Sequence, residues 1–555
     1  MIDSNLTDSN VGARKERNIR DNIFVINAIT NEAVKKKKEG IDIQIFDAYK
    51  CFDKLWTKEC FNDIYECGFT NDKLPLLFAE NVNAQVAVKT ATGTTRRTTI
   101  NEVVMQGTVW GSLMCTSSMD KLGKLSYKAP QNLYKYKDVP IPPLGMVDDI
   151  ICVSSVEQTA NMNKTINTFI EKKKLKLSET KCFRIHIGKG HTNCPDLKVH
   201  DFQMNDSERK KYLGDVIDQN GKIQATIENR KQRGQGAIAE IVALLDEIPF
   251  GKHRTEVAMR LRESMLLNRM LFNSEAWHGV TKADIATLEK VDKALLRAIL
   301  NAHKGTTSEL LYLETGAVPL KWILSQRRVM YLKHILSRKD NELIKKVYMA
   351  QKNNPVKGDF AKLVAADLEL FGLTHEEIES ETFTKVALKK ELKETSNKNA
   401  FAELMQNLQK GKKGKDLKYN CLRIQDYLFS DKLSKNERII VTALRTRCVK
   451  NIATNFPRMH NMCQHCPLSC NIEDPQMDTQ EHVMVCPELG EASAIEMDFI
   501  HAGVVEQCSV AKVFSKRITR RTQLLEDQGD SKCCHLPGVI PDQSTQQGAA
   551  AVLTV

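Results

Sequence analysis

The sequence has no run of about 18 apolar residues, so nothing in it reads as a bilayer-crossing helix. Its first thirty residues lack the basic-then-apolar pattern of a secretory signal. Without that signal, 16 cysteines do not read as a disulfide framework; the expectation is an intracellular protein whose cysteines are reduced thiols or metal ligands. No internal repeat of fixed period is present. Neither sign of charge is scarce, but Lys and Arg number 81 against 69 Asp and Glu, a net charge of +12. That balance favours an anionic partner without separating nucleic acid from a membrane surface. With 555 residues, 42% of them hydrophobic, the chain has an ordinary globular composition and room for about three or four domains.

Residues 1–40 are polar and turn-rich, with a short amphipathic stretch ending in Lys35 to Lys38 before Gly40, and read as a partly disordered leader. From Ile41, apolar and polar residues alternate to Asp47, which predicts a strand ending at that carboxylate. Phe52, Trp56, Cys60 and Ile64 recur every fourth residue before Gly68, the pattern of a helix with a glycine stop. Gln85 to Ile100 reads as one hairpin, and Leu144 to Val153 as another with Asp148 and Asp149 in its turn. Beyond Gly221 the texture is helical, with Thr281 and Asp284 forming a capping signature ahead of an apolar stripe from Ile285 to Ile299. The expected organisation is α+β: a mixed region over 41–220, a helical domain over 221–345, a lysine-rich helical connector over 346–440, a Cys/His-rich region over 441–500 and a mostly disordered tail over 501–555.

Two acidic signatures about a hundred residues apart carry the chemistry: Ile-Phe-Asp47-Ala-Tyr-Lys-Cys-Phe52-Asp53 and Gly-Met-Val-Asp148-Asp149-Ile-Ile. Each borders an apolar run, so the two can meet at adjacent strand ends and hold hard cations. Magnesium keeps waters and substrate phosphates in its shell, so few protein carboxylates suffice. Two such ions about 3.5–4 Å apart suit an in-line displacement at phosphorus. Taken alone, Asp148-Asp149 is also what a solvated hairpin turn looks like. The neighbours narrow the choice: Val104-Met105-Gln106-Gly107 lies between the signatures, and Lys174-Leu-Lys-Leu-Ser-Glu-Thr-Lys181-Cys and Lys211-Tyr212-Leu213-Gly214 come after them.

This ordered set resembles the palm of reverse transcriptases, in particular those of non-LTR (LINE-type) retrotransposons. Asn273-Ser-Glu275-Ala-Trp277, Leu288-Glu289-Lys-Val-Asp292 and Leu313-Glu314-Thr-Gly316 resemble the stretch C-terminal to the palm in one group of these elements. The resemblance implies an antiparallel palm sheet with helices, a helical thumb, and RNA-directed DNA polymerase activity on an RNA template, a DNA primer or target and dNTPs, with no membrane partner. It implies that Asp47 and Asp148 hold two catalytic Mg2+ ions, with Asp149 as acidic neighbour, and that Lys181 serves the departing pyrophosphate. Phe52 would lie under the nucleotide sugar and exclude a 2′-hydroxyl. Gln106 and Gly107 would line the nucleotide and template pocket; Tyr212, Leu213 and Gly214 would grip the primer. Integration on chromosomal DNA implies residence in the nucleus and/or the cytoplasm. On their own residues, Phe52 also fits the core beside Trp56, Lys181 a solvated lysine run, and Asp53 a cap.

A second constellation is Cys463-Gln-His-Cys466, fifteen residues, His482, three residues, Cys486. Two cysteines two apart close a knuckle on tetrahedral zinc, and a His and Cys three apart complete it, so the expectation is a closed structural Zn2+ site. Cys470 and His465 are competing ligands. Such a cluster also resembles the C-terminal region of non-LTR retrotransposon proteins. Upstream, Arg438, Arg445, Arg447 and Lys450 crowd a helical segment suited to phosphate contacts or to solvent.

The chain departs from the family pattern in three places. Met146 and Val147 replace an aromatic and an alanine before the aspartates, and Thr108-Val-Trp110-Gly111-Ser112-Leu113 replaces the usual Pro-Leu-Ser-Pro. About forty residues precede the first catalytic strand, so the fingers are expected to be incomplete and no endonuclease domain is seen. The reading is a reverse transcriptase, with a catalytically inactive nucleic-acid-binding remnant as the alternative. A zinc hydrolase fits poorly because the cysteine site has no open position.

Overall fold

The computed structural model describes residues 5–448 except 37–39, 70–72, 82, 101–103, 105–107, 109, 189–197, 200–201, 250–251, 382, 412–413, 415–416, 431–432 and 447, together with single positions between 510 and 517. Two compact units interleave along the chain. The first takes residues 1–232, 271–287 and 324–393, the second 233–270, 288–323 and 394–555. Each unit is thus built from segments discontinuous in sequence. Among the described residues, no helix is long and apolar enough to cross a membrane.

The first unit is built on a five-stranded sheet. Its strands are β1 (Ile41–Asp47), β2 (Leu144–Met146), β3 (Asp149–Ser155), β4 (Phe183–Ile187) and β5 (Asn205–Asp206), in the order β5-β4-β1-β3-β2. All pairs are antiparallel except β4 with β5. β1 is central and, although apolar and polar residues alternate along it, buried from Ile41 to Phe46. Its polar residues are tolerated because each is bonded. Asp42 takes the Thr159 hydroxyl at 2.8 Å and lies 2.9 Å from His186 Nδ1, and Gln44 donates to Asn163 Oδ1 at 2.8 Å.

The leader is largely a core element. Helix α1 (Ile19–Lys36) buries Ile23, Phe24, Val25 and Ile26 to 1% exposure or less. Phe24 meets the rings of His278, Tyr331 and Phe360, while Asp21 accepts from Tyr331 Oη at 3.1 Å. The apolar cluster Ile23-Phe24-Val25-Ile26 has enough buried surface to fix the helix despite its polar flanks.

The helix expected from Phe52 to Ile64 is broken in two: α2 (Cys51–Lys54) and α3 (Thr57–Glu66). Leu55 turns into the core in extended conformation, and Trp56, expected inside, is 39% exposed with Lys174 Nζ 3.8 Å over its ring. Cys60 and Ile64 are fully buried, and Gly68 ends the segment at φ 88°. α3 packs on α4 (Gly111–Tyr127), and α5 (Thr159–Lys172) joins the same core. The hairpin expected from Gln85 to Ile100 forms, with Ala84–Val86 paired to Thr98–Ile100. The Thr281–Asp284 cap also forms, with reciprocal bonds of 2.8 and 3.2 Å.

The second unit is helical around Leu296, Leu310, Leu311, Leu313, Val441 and Leu444. Buried charges tie it together: Arg262 forks onto Asp292 at 2.7 and 2.8 Å, and Arg445 Nε lies 3.0 Å from both oxygens of Glu314. Two of the arginines read as suited to phosphate or to solvent are instead engaged within the protein. Arg438 donates to the carbonyls of Leu428 and Leu433, and both Arg438 and Arg445 are at most 6% exposed. Arg447, Lys450, the four zinc candidates Cys463, Cys466, His482 and Cys486, and almost all of the tail lie outside the described residues.

Candidate active site

The two acidic signatures meet where the central strands end. β1 and β3 pair antiparallel in a register that sets Asp47 directly opposite Asp149. β2 and β3 form a hairpin in which Met146 faces Asp149, so Val147 and Asp148 make the two-residue turn. Asp149 is thus the first residue of a strand and not a turn residue. Val147 sits at φ 61°, a position that a two-residue hairpin normally gives to glycine.

The chain returning after α5 brings the fourth participant. Ser178 N donates to Asp47 O at 2.8 Å and Tyr49 N to Lys176 O at 2.7 Å, fastening residues 176–178 to the exit of β1. A turn comes next, and Lys181 Nζ lies 3.3 Å from both Asp47 oxygens. Asp47 is 23% exposed at its side chain and Lys181 66%, so the pair is loose and open to solvent.

Charge accumulates faster here than it is compensated. Burial and then the Asp47 charge raise the Asp148 carboxyl above the usual carboxylate range, against the pull of Lys181. Asp149 is pushed up to about 6, first by the protein packed around its carboxyl and then by repulsion from Asp148 and Asp47. Among the described residues, no group of three or more His, Cys, Asp or Glu side chains converges on a point that would hold a metal ion. The donor set nevertheless fits magnesium: Asp47 and Asp148 are hard oxygen ligands short of positive charge, and a magnesium ion fills its remaining positions from water and phosphate.

Phe52 lies on α2, half-buried against the core of α3 and α4, its carbonyl bonded by Val104 N at 3.0 Å. Gln106 and Gly107 lie outside the described residues. Tyr212, Leu213 and Gly214 form the bend of a separate hairpin, β6 (Arg209–Tyr212) with β7 (Asp215–Asp218). Leu213 and Gly214 both have positive φ, 45° and 94°, the pattern of a tight two-residue turn. Tyr212 is buried, its hydroxyl 3.4 Å from Asn22 Nδ2.

Several residues to which the sequence assigns no role brace this hairpin. Arg230, fully buried, donates to Gly214 O at 3.0 Å and Asp215 Oδ1 at 2.7 Å; Asn273 donates to Leu213 O at 3.0 Å, and Trp277 Nε1 to Asp215 Oδ2 at 3.1 Å. Asn273 and Trp277 both lie in a stretch singled out in the sequence. Asn10, beside the Val147–Asp148 turn, carries no sequence signal beyond a polar leader.

Residues 1–217 match the family model described as reverse transcriptase (RNA-dependent DNA polymerase). No curated protein matches the chain. Among solved structures it is similar to telomerase from Candida albicans in complex with a fragment of telomeric RNA, at 12% identity over 65% of this chain and 55% of that one, TM-score 0.34. It is also similar to apo telomerase from Candida tropicalis, at 13% identity over 69% of this chain and 57% of that one, TM-score 0.32. The chain thus spans less than two thirds of the length of either.

Proposed function

We propose that this protein is an RNA-directed DNA polymerase of a non-LTR retroelement, extending a DNA primer on an RNA template by nucleotidyl transfer from dNTPs. The carrying observation is the register that sets Asp47 opposite Asp149, with Asp148 in the adjoining turn and the Lys181 ammonium on Asp47. Asp47 and Asp148 would supply the oxygen ligands for two magnesium ions. Bound there, magnesium supplies the charge that activates the primer 3′-hydroxyl and stabilises the leaving oxygen. Lys181, open to solvent beside Asp47, would give a proton to the departing pyrophosphate or neutralise it. The half-buried Phe52 ring, fixed by its core contacts, would reject a ribonucleotide through collision with the 2′-hydroxyl. The roles of Gln106 and Gly107 rest on the resemblance alone.

The test is primer extension on a poly(A) RNA template with magnesium. Asp148→Asn keeps the shape of the turn and removes a charged ligand, so it is expected to abolish extension while leaving the circular dichroism spectrum and RNA binding unchanged. Extension that persists in the variant refutes the assignment. Binding without synthesis by the unsubstituted chain supports the inactive remnant instead.

A further inference from the structure

The catalytic turn is held from outside its own hairpin. Val147 is β-branched and adopts φ 61°, a backbone conformation such residues resist. The N-terminal segment lies directly on it. Asn10, 3% exposed, accepts from Val147 N at 3.1 Å through Oδ1 and donates to Val147 O at 2.9 Å through Nδ2, closing both backbone groups of that residue. The same Oδ1 accepts from Gly12 N at 2.9 Å. A Cβ on Gly12 would stand 2.5 Å from Val147 N, so the segment and the turn touch as closely as backbones can.

Asn10 is itself fixed from both sides. It bridges Gly145 in parallel fashion, flanked by Gly145 N to Ser9 O at 2.6 Å and Val11 N to Gly145 O at 3.0 Å. Arg14 Nη1 donates to Asn10 O at 2.9 Å, and Thr116 Oγ1 to Gly12 O at 3.1 Å, tying the segment to α4. The amide is therefore a rigid fork aimed at Val147.

We propose that Asn10 is a positioning residue of the active site: its amide holds Val147 in the left-handed conformation and so sets where the neighbouring Asp148 carboxylate stands. A primary amide suits this because one planar group must accept from an N–H and donate to a C=O of the same residue. The proposal rests on the polymerase reading for its kinetic arm only.

A double-substitution cycle separates positioning from general support. Asn10→Ala is expected to lower kcat for primer extension about ten- to a hundred-fold, with the dNTP KM changed less than about three-fold. Glycine adopts positive φ without help, so in a Val147→Gly background the same Asn10→Ala change is expected to cost less than about three-fold. Asn10→Asp, which still accepts from Val147 N but cannot donate to Val147 O, should fall between in the native background. Thermal melting of the four chains of the cycle reads the clamp independently of activity, with Asn10→Ala lowering Tm more beside Val147 than in the Val147→Gly background. Equal costs in the two backgrounds overturn the proposal, as does unfolding of the Asn10→Ala chain that Val147→Gly does not rescue. If the unsubstituted chain extends no primer, the functional reading fails and the melting cycle still decides the clamp.

Discussion

Crowding three carboxylates at one strand end should make the site a measurable burden on stability. Asp149 moves from its ordinary 3.8 to about 6 in the fold through burial and the charges of Asp148 and Asp47. At about 1.36 kcal/mol per pH unit, keeping it ionised at neutral pH opposes folding by roughly 3 kcal/mol. The residue is exposed at the strand start, so screening reduces that to about 1 kcal/mol, or about 2 °C in Tm for a unit of this size. Because the folded value is raised, the penalty is absent below about pH 4, grows as pH rises through 6 and is complete above about pH 7. Asp149→Asn should therefore melt about 2 °C above the native chain at pH 8 without divalent metal and together with it near pH 4. Magnesium at pH 8 should narrow the gap by stabilising the native chain more. The measurement is a set of thermal melts across that range. A gap that is equal at pH 4 and pH 8, or larger at low pH, refutes the claim that the cluster is short of positive charge.

Two further outcomes test the helical unit and the cysteine-rich segment. A Cβ at Gly316 would stand 2.5 Å from the backbone carbon of Arg423, and φ there is 67°, so Gly316→Ala should cost about 3 kcal/mol by denaturant melt; Gly236, exposed within the helix Gln224–Asp246 with nothing within 4 Å of an added Cβ, should gain up to about 1 kcal/mol as alanine. Equal effects at the two positions would contradict the packing described. For the cysteine cluster, metal analysis of the full chain is expected to find one zinc that Cys466→Ser removes, and an unchanged metal ratio would mean that the ligand set is wrong.

The convergence of the two acidic signatures in the candidate site is legible in the sequence because it is local. The alternation ending at Asp47 and the apolar arms around Asp148 encode strands directly, and strand ends are where a side chain's position follows from its place in sequence. Trp56 is the exception within this region. Periodicity puts Phe52 and Trp56 on one helix face, but the α2–α3 break turns Trp56 to the surface, because Leu55 competes for the core and wins. Long-range support is what sequence does not convey. Asn10 and Val147 lie 137 residues apart, and Asn31 bonds Asp359 across 328 residues. Neither pair has any periodicity to announce it. The same holds for the interleaved units: a helix such as Gln224–Asp246 shows its apolar positions in sequence but not that the unit boundary falls within it. Arg438 and Arg445 read as surface charge for a related reason, since a guanidinium satisfied by buried carbonyls or a carboxylate looks in sequence like one waiting for phosphate.

Backbone geometry ties residues far from the carboxylates to the candidate site. The positive-φ positions Val147, Leu213 and Gly214 lie at two hairpin turns of the proposed site, and each turn is braced by a buried amide from elsewhere: Asn10 for Val147 and Asn273 for Leu213. Asn273 is itself at φ 64°, a conformation asparagine accepts better than most residues, which lets it precede the short helix Ser274–Ala276 and still aim its Nδ2 at the hairpin. A left-handed turn costs of order 1–3 kcal/mol at a non-glycine residue, so it persists only where outside contacts over-determine it. Losing one such contact should therefore do more than weaken the fold: the turn would relax toward ordinary backbone conformation and carry its neighbouring groups with it. On this reasoning Asn10 and Asn273, which touch no reacting atom, should be more sensitive in kcat than in Tm, whereas Arg262 and Glu314, which tie helices together in the second unit, should show the reverse.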